Sequence, residues 1–183
     1  MKTKNIIWLS LILVLSGLFS CKEIDTYSPI PEIKYKDFIL SNEVLYDTSD
    51  LGFPYIGGTL IFEFRDGNGD FGYIRSAYSN IVDTNNVFIT QLEKRDGVYY
   101  EYDVADSSRQ KRKQCILYED VMERSGQNKL IQGTIEIFYW FIFSSKDLFD
   151  TIKYSFYITD QEKNKSNVEL SDEIVIDWDS YEQ

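Results

Sequence analysis

The segment Asp66-Gly67-Asn68-Gly69-Asp70 carries the clearest chemistry in this chain of 183 residues. Oxygen-bearing side chains stand at alternate positions, and the glycines between them let the backbone curl so that these oxygens converge. Ca²⁺ takes about 6–8 oxygen ligands in proteins. The spacing therefore predicts a structural Ca²⁺ loop with Asp66, Asn68 and Asp70 as ligands, and Asp160, at the end of a later strand, is the candidate for a fourth.

Two other interpretations of this acidic loop were weighed. An EF-hand needs glycine at its sixth position and an acid at its twelfth. This chain has Phe71 and Ala77 there, so an EF-hand is excluded. A tight turn without metal also favours Asp, Asn and Gly, because these residues tolerate left-handed backbone angles. Ion loop and plain turn both stay open from the sequence alone.

Other chemistry is limited by the absence of histidine from the sequence. Ser–His–Asp triads, Cys–His pairs and His-ligated zinc sites are therefore excluded. Cys115 has Cys21 as its only possible partner for a disulfide. We expect Cys115 to be a small apolar residue in a strand, and we expect the protein not to be an enzyme.

The first 21 residues combine Lys2 and Lys4 with the apolar run Ile6–Phe19 and then Cys21. As a helix this run would be about 21 Å long, which is short of the ~30 Å hydrocarbon core of a membrane. The segment Leu18-Phe19-Ser20-Cys21 resembles the lipobox of bacterial lipoproteins, in which the chain is cut before a cysteine that receives lipid. It predicts a signal peptide at 1–20 and lipidation of Cys21. The alternative is an ordinary signal peptide or an uncleaved anchor.

The residues after Cys21 bear on location. Lys22 stands where an aspartate is associated with inner-membrane retention, and Lys22-Glu23-Ile24-Asp25 resembles the export tags of surface lipoproteins in Bacteroidota. We therefore predict a lipid-anchored protein of the outer membrane, at the cell surface or on the periplasmic face. Residues 21–32, which include Ser28-Pro29-Ile30-Pro31, are predicted to be the lipidated cysteine and a short tether. Residues 33–183 are predicted to form the domain.

The formal net charge of −11 limits the partners. Removing residues 1–20 takes away two lysines and no acid, so the mature chain is more negative still. Such a charge repels nucleic acid and an anionic membrane surface. We therefore expect no nucleic-acid partner and a membrane contact made only through lipid.

The mature chain is dominated by alternating apolar and polar residues, which is typical of strands. Val87–Lys94 and Val98–Val104 flank the turn Arg95-Asp96-Gly97 and predict a hairpin. Several short strands separated by turn-rich loops predict an all-β fold, an immunoglobulin-like antiparallel β-sandwich of about seven to eight strands. The remaining predicted strands are 59–65, 114–118, 134–143, 152–159 and 172–178.

Three segments resemble a group of Bacteroidota lipoproteins. They are Phe62–Gly72, the stretch Gly126-Gln127-Asn128-Lys129 with Gly133-Thr134-Ile135, and Tyr157-Ile158-Thr159-Asp160 with the following Asn164-Lys165-Ser166-Asn167. The resemblance implies an immunoglobulin-like sandwich without an assigned activity. The chain departs from the group at Asn68, which keeps an oxygen ligand, and at Lys163, where glycine is common. Lys163 weakens the expectation of a special backbone turn at that position.

These observations predict a non-catalytic binding or structural module, stabilised by Ca²⁺ if the acidic loop is an ion loop, whose partner is an envelope protein or a glycan. Trp140 and Tyr139 are the weak candidates for a binding surface, because the second face of their strand becomes apolar. The alternatives are a glycosidase-like hydrolase, which needs two carboxyl groups about 5–9 Å apart in a cleft, and a carbohydrate-binding accessory protein.

Overall fold

The computed structural model describes residues 27–48, 52–74, 85–101, 112–114, 117–118, 129–146 and 148–181. The predicted signal peptide, Cys21 and Cys115 lie outside the described residues. Within the described part, no helix has the length and apolarity to cross a membrane.

Two antiparallel sheets make up most of the described chain, which confirms the predicted all-β sandwich. The strands are β1 (Glu32–Tyr46), β2 (Pro54–Asp66), β3 (Tyr73–Ile74), β4 (Val87–Arg95), β5 (Val98–Glu101), β6 (Arg112–Gln114), β7 (Leu117–Tyr118), β8 (Ile131–Ile142), β9 (Thr151–Ile158), β10 (Glu169–Leu170) and β11 (Ile174–Val175). One sheet has the order β1-β2-β8, and the other has the order β10-β9-β4-β5, with β6 beside β4 and β11 beside β9. A short parallel pair joins β3 and β7.

The predicted strands correspond to observed ones with local differences, except that 172–178 contains only the two-residue strand β11 and ends in a 3-10 helix, Trp178–Tyr181. The hairpin turn is confirmed between β4 and β5, where Asp96 and Gly97 have φ values of 50° and 78°. Strand β8 begins three residues earlier than predicted, at Ile131, and Phe143 lies in a short 3-10 helix, Phe143–Ser145. The predicted strand at 114–118 corresponds to parts of β6 and β7, on either side of two residues outside the described chain.

The core lies between the two sheets. Alternate residues of β2 and β9 point inward, and the rings of Phe62 and Phe156 are fully buried with centroids 4.9 Å apart. Tyr139 of β8 packs against Tyr154 of β9 with centroids 4.4 Å apart. Full burial of one such side chain contributes about 1.5–3 kcal/mol. These aromatic contacts fix the sheets face to face, and therefore fix where the strand ends meet.

Each end of the β1-β2-β8 sheet has a distinct character. At one end Asp66 pairs with Ile131, and Arg65 pairs with Glu32 at the start of β1. We call this the acidic end. At the other end Tyr55 is opposite Ile142, and we call this the aromatic end.

Candidate metal centre

The predicted ligands Asp66, Asn68, Asp70 and Asp160 lie together at the acidic end. Asp66 is the last residue of β2, where the alternation that buries Leu60 and Phe62 turns its side chain inward. Asp160 lies two residues after the end of β9. The exposed fractions of Asp66 and Asp160 are 0% and 1%. The facing sheets thus bring together two buried carboxylates that are far apart in sequence.

Asp66 shapes the loop that follows it. Its Oδ2 accepts hydrogen bonds from the backbone N–H groups of Asp70 and Phe71, both at 2.9 Å. These two bonds turn the loop back over the end of β2. The second carboxylate oxygen, Oδ1, stays free to face the interior of the loop.

Three buried oxygens in the loop have no hydrogen-bond partner among the described residues: Oδ1 of Asp66, of Asn68 and of Asp70. A buried polar atom without a partner costs about 1–3 kcal/mol, and native structures contain few of them. They belong to the three alternate residues whose spacing predicted a metal loop. This set of unsatisfied oxygens distinguishes the loop from an ordinary turn, in which the side-chain oxygens bind backbone N–H groups.

The distances also suit a cation. One carboxylate oxygen from each of Asp66, Asp70 and Asp160 lies within 4.8 Å of the other two. Oxygens bound to one Ca²⁺ at about 2.3–2.6 Å can be at most about 5 Å apart. Both oxygens of Asp160 accept hydrogen bonds from Asn164, through its backbone N–H and its Nδ2 at 2.8 Å each. A carboxylate oxygen has two lone pairs, so Asp160 keeps the capacity to bind an ion.

Electrostatic repulsion makes the ion-free cluster unfavourable at neutral pH. Burial and, after it, the negative charges of Asp160 and Asp66 together raise the pKa of Asp70 to about 6. Burial also raises the pKa of Asp66, against the lowering effect of its two backbone hydrogen bonds. An oxygen-only set of three carboxylates favours a hard divalent cation such as Ca²⁺, which would neutralise most of this charge.

A first prediction concerns the ion-free protein. The pKa of Asp70 is about 6 in the folded state, and its ordinary value is 3.8. Between pH 3.8 and about 6, Asp70 is therefore protonated in the folded protein and ionised in the unfolded protein. Asp70 therefore contributes stability at low pH that is lost as the pH rises through about 6. In excess chelator, the melting temperature should fall between pH 5 and 7.5 more steeply for the wild type than for Asp70→Asn. Identical slopes for the two proteins would contradict the prediction.

The neighbouring segments hold the loop by backbone contacts. The backbone N–H of Gln161 donates to the carbonyl of Asp70 at 3.2 Å, and its Nε2 donates to the carbonyl of Gly72 at 2.7 Å. Gly69 has a φ of 73°, and a Cβ atom there would overlap the carbonyl oxygen of Lys129. Glycine at this position is therefore required both by conformation and by space.

The expectation at Lys163 was wrong. Its φ is 68°, in the left-handed region that glycine usually occupies. Its N–H donates to the carbonyl of Asp160 at 3.2 Å, and the side chain of Asp160 binds Asn164 on the other side of Lys163. The turn is thus determined by Asp160 and Asn164, and it forms with lysine in place of glycine.

The predicted surface residues Trp140 and Tyr139 lie on opposite faces of β8. Trp140 is 57% exposed at the aromatic end, and its ring lies 5.4 Å from that of Tyr55. Tyr139 is only 3% exposed and belongs to the core. Since successive strand residues point to opposite faces, one strand cannot present both rings to a ligand. Tyr139 is therefore corrected to a core residue, whereas Trp140 is accessible together with Phe138 and Ile142.

An open depression of about 690 Å³ lies on the outer face of the β1-β2-β8 sheet. Its two acidic side chains are Glu32 and Glu63, about half exposed, and each is paired with a cation: Glu32 with Arg65 at 2.6 Å and Glu63 with Lys36 at 2.9 Å. A general acid needs an environment that keeps a carboxyl group protonated. Exposed carboxylates beside cations do not have that environment.

The described part of the chain thus defines an all-β sandwich with a cluster of buried acidic side chains at one end. No protein family, curated protein or solved structure matches the chain.

Proposed function

We propose that this protein is a non-catalytic module of the bacterial envelope, anchored by lipid on Cys21, whose domain is stabilised by one Ca²⁺ bound by Asp66, Asn68, Asp70 and Asp160. The observation that carries the ion site is the set of three buried Oδ1 atoms without partners in the loop 66–70. The anchor rests on the lipobox-like end of the first 21 residues. The site is structural in this proposal, because three of its carboxylates converge within 4.8 Å and two of them, Asp66 and Asp160, are fully buried.

The partner in this proposal is an envelope protein or a glycan. The accessible side chains of Phe138, Trp140 and Ile142 support such a partner, since aromatic residues are enriched where proteins bind other molecules. Carbohydrate binding is the second candidate function. It is favoured by the proximity of the Tyr55 and Trp140 rings on an exposed face, because aromatic faces stack on sugar rings. The hydrolase alternative has weaker support, since the buried carboxylates lie under the loop and the open depression is lined by other residues.

Titration calorimetry of the purified, chelator-treated protein tests the ion site. We expect one Ca²⁺ per chain, with a dissociation constant of about 10⁻⁴–10⁻³ M, as in extracellular Ca²⁺ modules. Mg²⁺ should bind more weakly, because it demands a smaller and more regular site. The pair Asp66→Asn with Asp70→Asn should abolish binding.

The matched control is Asp172→Asn, which removes one negative charge from an exposed position outside the cluster. It should bind Ca²⁺ as the wild type does. Absence of Ca²⁺ binding by the wild type at about 10 mM, well above the weakest modules of this kind, would overturn the proposed ion site.

A further inference from the structure

The described end of the predicted tether, residues 27–31, begins against the acidic loop. The backbone N–H of Gly67 donates to the carbonyl of Ser28 at 3.0 Å. The guanidinium group of Arg65 lies over the ring of Tyr27, 5.4 Å from its centroid. A Cβ atom at Gly67 would overlap the carbonyl oxygen of Ser28. The first described residues are thus packed against the loop itself, between two of its candidate ligands.

Ile33 and Tyr35, at the start of β1, are bound by side chains from a different part of the chain. Asn167 binds the backbone of Ile33 at two points: its Oδ1 accepts from the N–H at 2.8 Å, and its Nδ2 donates to the carbonyl at 2.9 Å. Glu169 accepts from the N–H of Tyr35 at 3.1 Å. Asn167 and Glu169 follow the turn that Asp160 organises. The contacts of Ser28 are thus made with the ligand loop itself, and those of Ile33 and Tyr35 are made with the chain that follows the turn at Asp160.

Geometry links these contacts to the ion. Gly67 lies between Asp66 and Asn68, whose Oδ1 atoms are buried without partners, and Asp66 itself is 0% exposed. Without a cation, three carboxylates within 4.8 Å of one another repel, and the loop can relieve this repulsion by moving away from Asp160. Any such movement displaces the N–H that holds Ser28. With a cation, the loop and the turn at Asp160 are drawn together around the segment.

We infer that the cation fastens residues 27–31 to the domain and tightens the outer edge of β1 at Ile33 and Tyr35, so that Ca²⁺ controls whether the described end of the predicted tether is docked or loose. This inference rests on the proposed Ca²⁺ site. Linkage makes the coupling reciprocal: a docked segment must raise the affinity for Ca²⁺ by the same factor by which Ca²⁺ favours docking. The site then sets the orientation of the domain relative to its anchor as well as its stability.

Hydrogen exchange of the purified protein, read by mass spectrometry with Ca²⁺ or with chelator, tests the inference. We expect the amides of Ile33, Tyr35 and Gly67 to exchange at least about fivefold faster in chelator, in the range of ordinary allosteric couplings. The amides of Tyr154 and Ile176, which bind Ser171 and the carbonyl of Asp150, should change much less. Calorimetry on the same samples shows whether the ion is bound.

Two variants separate the fastening from the ion site. Asn167→Ala removes the two-point contact with Ile33 and leaves all four ligands in place, so Ile33 should exchange rapidly in Ca²⁺ and the affinity for Ca²⁺ should fall severalfold. Glu169→Ala should act in the same direction, because it removes the acceptor for the N–H of Tyr35. The control is Tyr46→Ala, which changes a 65% exposed ring at the other end of β1 and should alter neither readout.

The outcomes distinguish the two proposals. If calorimetry detects no bound Ca²⁺, the ion site fails and the fastening fails with it. If Ca²⁺ binds but the exchange of Ile33, Tyr35 and Gly67 is the same with and without it, the ion site stands and the fastening is overturned. An unchanged Ca²⁺ affinity in both Asn167→Ala and Glu169→Ala would likewise overturn it.

Discussion

Saturation with Ca²⁺ should raise the melting temperature of the purified protein by about 5–10 °C. A ligand that binds only the folded state at about 100 times its dissociation constant stabilises that state by ~2.7 kcal/mol. In a domain of this size each kcal/mol corresponds to about 2–4 °C. The gain has a physical source in the structure, because the ion supplies the partner that the buried Oδ1 atoms of Asp66, Asn68 and Asp70 lack. Differential scanning calorimetry with Ca²⁺ and with chelator measures the shift.

The choice of variant matters for this measurement. Asp66→Ala would remove both the ion ligand and the acceptor for the N–H groups of Asp70 and Phe71. Asp66→Asn keeps an acceptor oxygen for these groups and removes the charge. Combined with Asp70→Asn it should abolish the Ca²⁺ shift, and it should melt no lower than the ion-free wild type, since repulsion in the cluster is relieved. A wild-type melting temperature that is equal in Ca²⁺ and in chelator would contradict the prediction.

The substitution Cys21→Ala should move the protein from the membrane fraction to the aqueous fraction. The predicted anchor is lipid, because a helix formed by the apolar run Ile6–Phe19 would be too short to span the hydrocarbon core of a membrane. Two or more acyl chains hold a protein stably at a membrane, whereas one holds it only marginally. Loss of the lipidated cysteine should therefore be close to an all-or-none effect. Fractionation of cells followed by immunoblotting measures it.

The second cysteine provides the matched control for this experiment. Cys115→Ala removes a thiol without touching the lipobox-like segment, and the protein should stay in the membrane fraction. Attachment of Cys21→Ala that persists through high salt and requires detergent for release would show that the apolar run itself is the anchor.

The sequence was most informative where the pattern is local. In β2, strict alternation placed Leu60, Phe62 and Phe64 on one face, and all three are buried. The alternation of Ile152, Tyr154, Phe156 and Ile158 in β9 was equally reliable. A sheet with one buried face imposes a period of two on the side chains, so these faces can be read without knowing their partners.

Strand β1 shows where a local pattern fails. Its pairing with β2 shifts register between Tyr35 and Asp37 and again between Leu40 and Val44. Each irregularity interrupts the period of two, so the sequence of β1 gives no continuous alternation from Glu32 to Tyr46. Its extent is determined by the partner strand, which the sequence pattern of β1 does not contain.

The candidate ligands could be predicted from the sequence, but the contacts around them could not. The spacing of Asp66, Asn68 and Asp70 is a local signal, and Asp160 was a reasonable addition because it ends a strand. Asn167 gave no such signal, because its partner Ile33 lies 134 residues away and the contact is made with backbone atoms. Interactions of this kind depend on which strand ends the fold brings together, and they leave no trace in either local sequence.

The two ends of the sandwich have a mechanical consequence. Strand β2 runs from Pro54 at the aromatic end to Asp66 at the acidic end, about 40 Å at ~3.3 Å per residue. The described chain begins at the acidic end, where Tyr27 and Ser28 contact Arg65 and Gly67, while Trp140 is exposed at the other end. A pull between the anchor and a partner held by Trp140 would load β1 against β2 along their length. Their hydrogen bonds lie perpendicular to the strands, so they would bear such a force together, in shear, and would resist it far better than bonds opened one at a time by peeling.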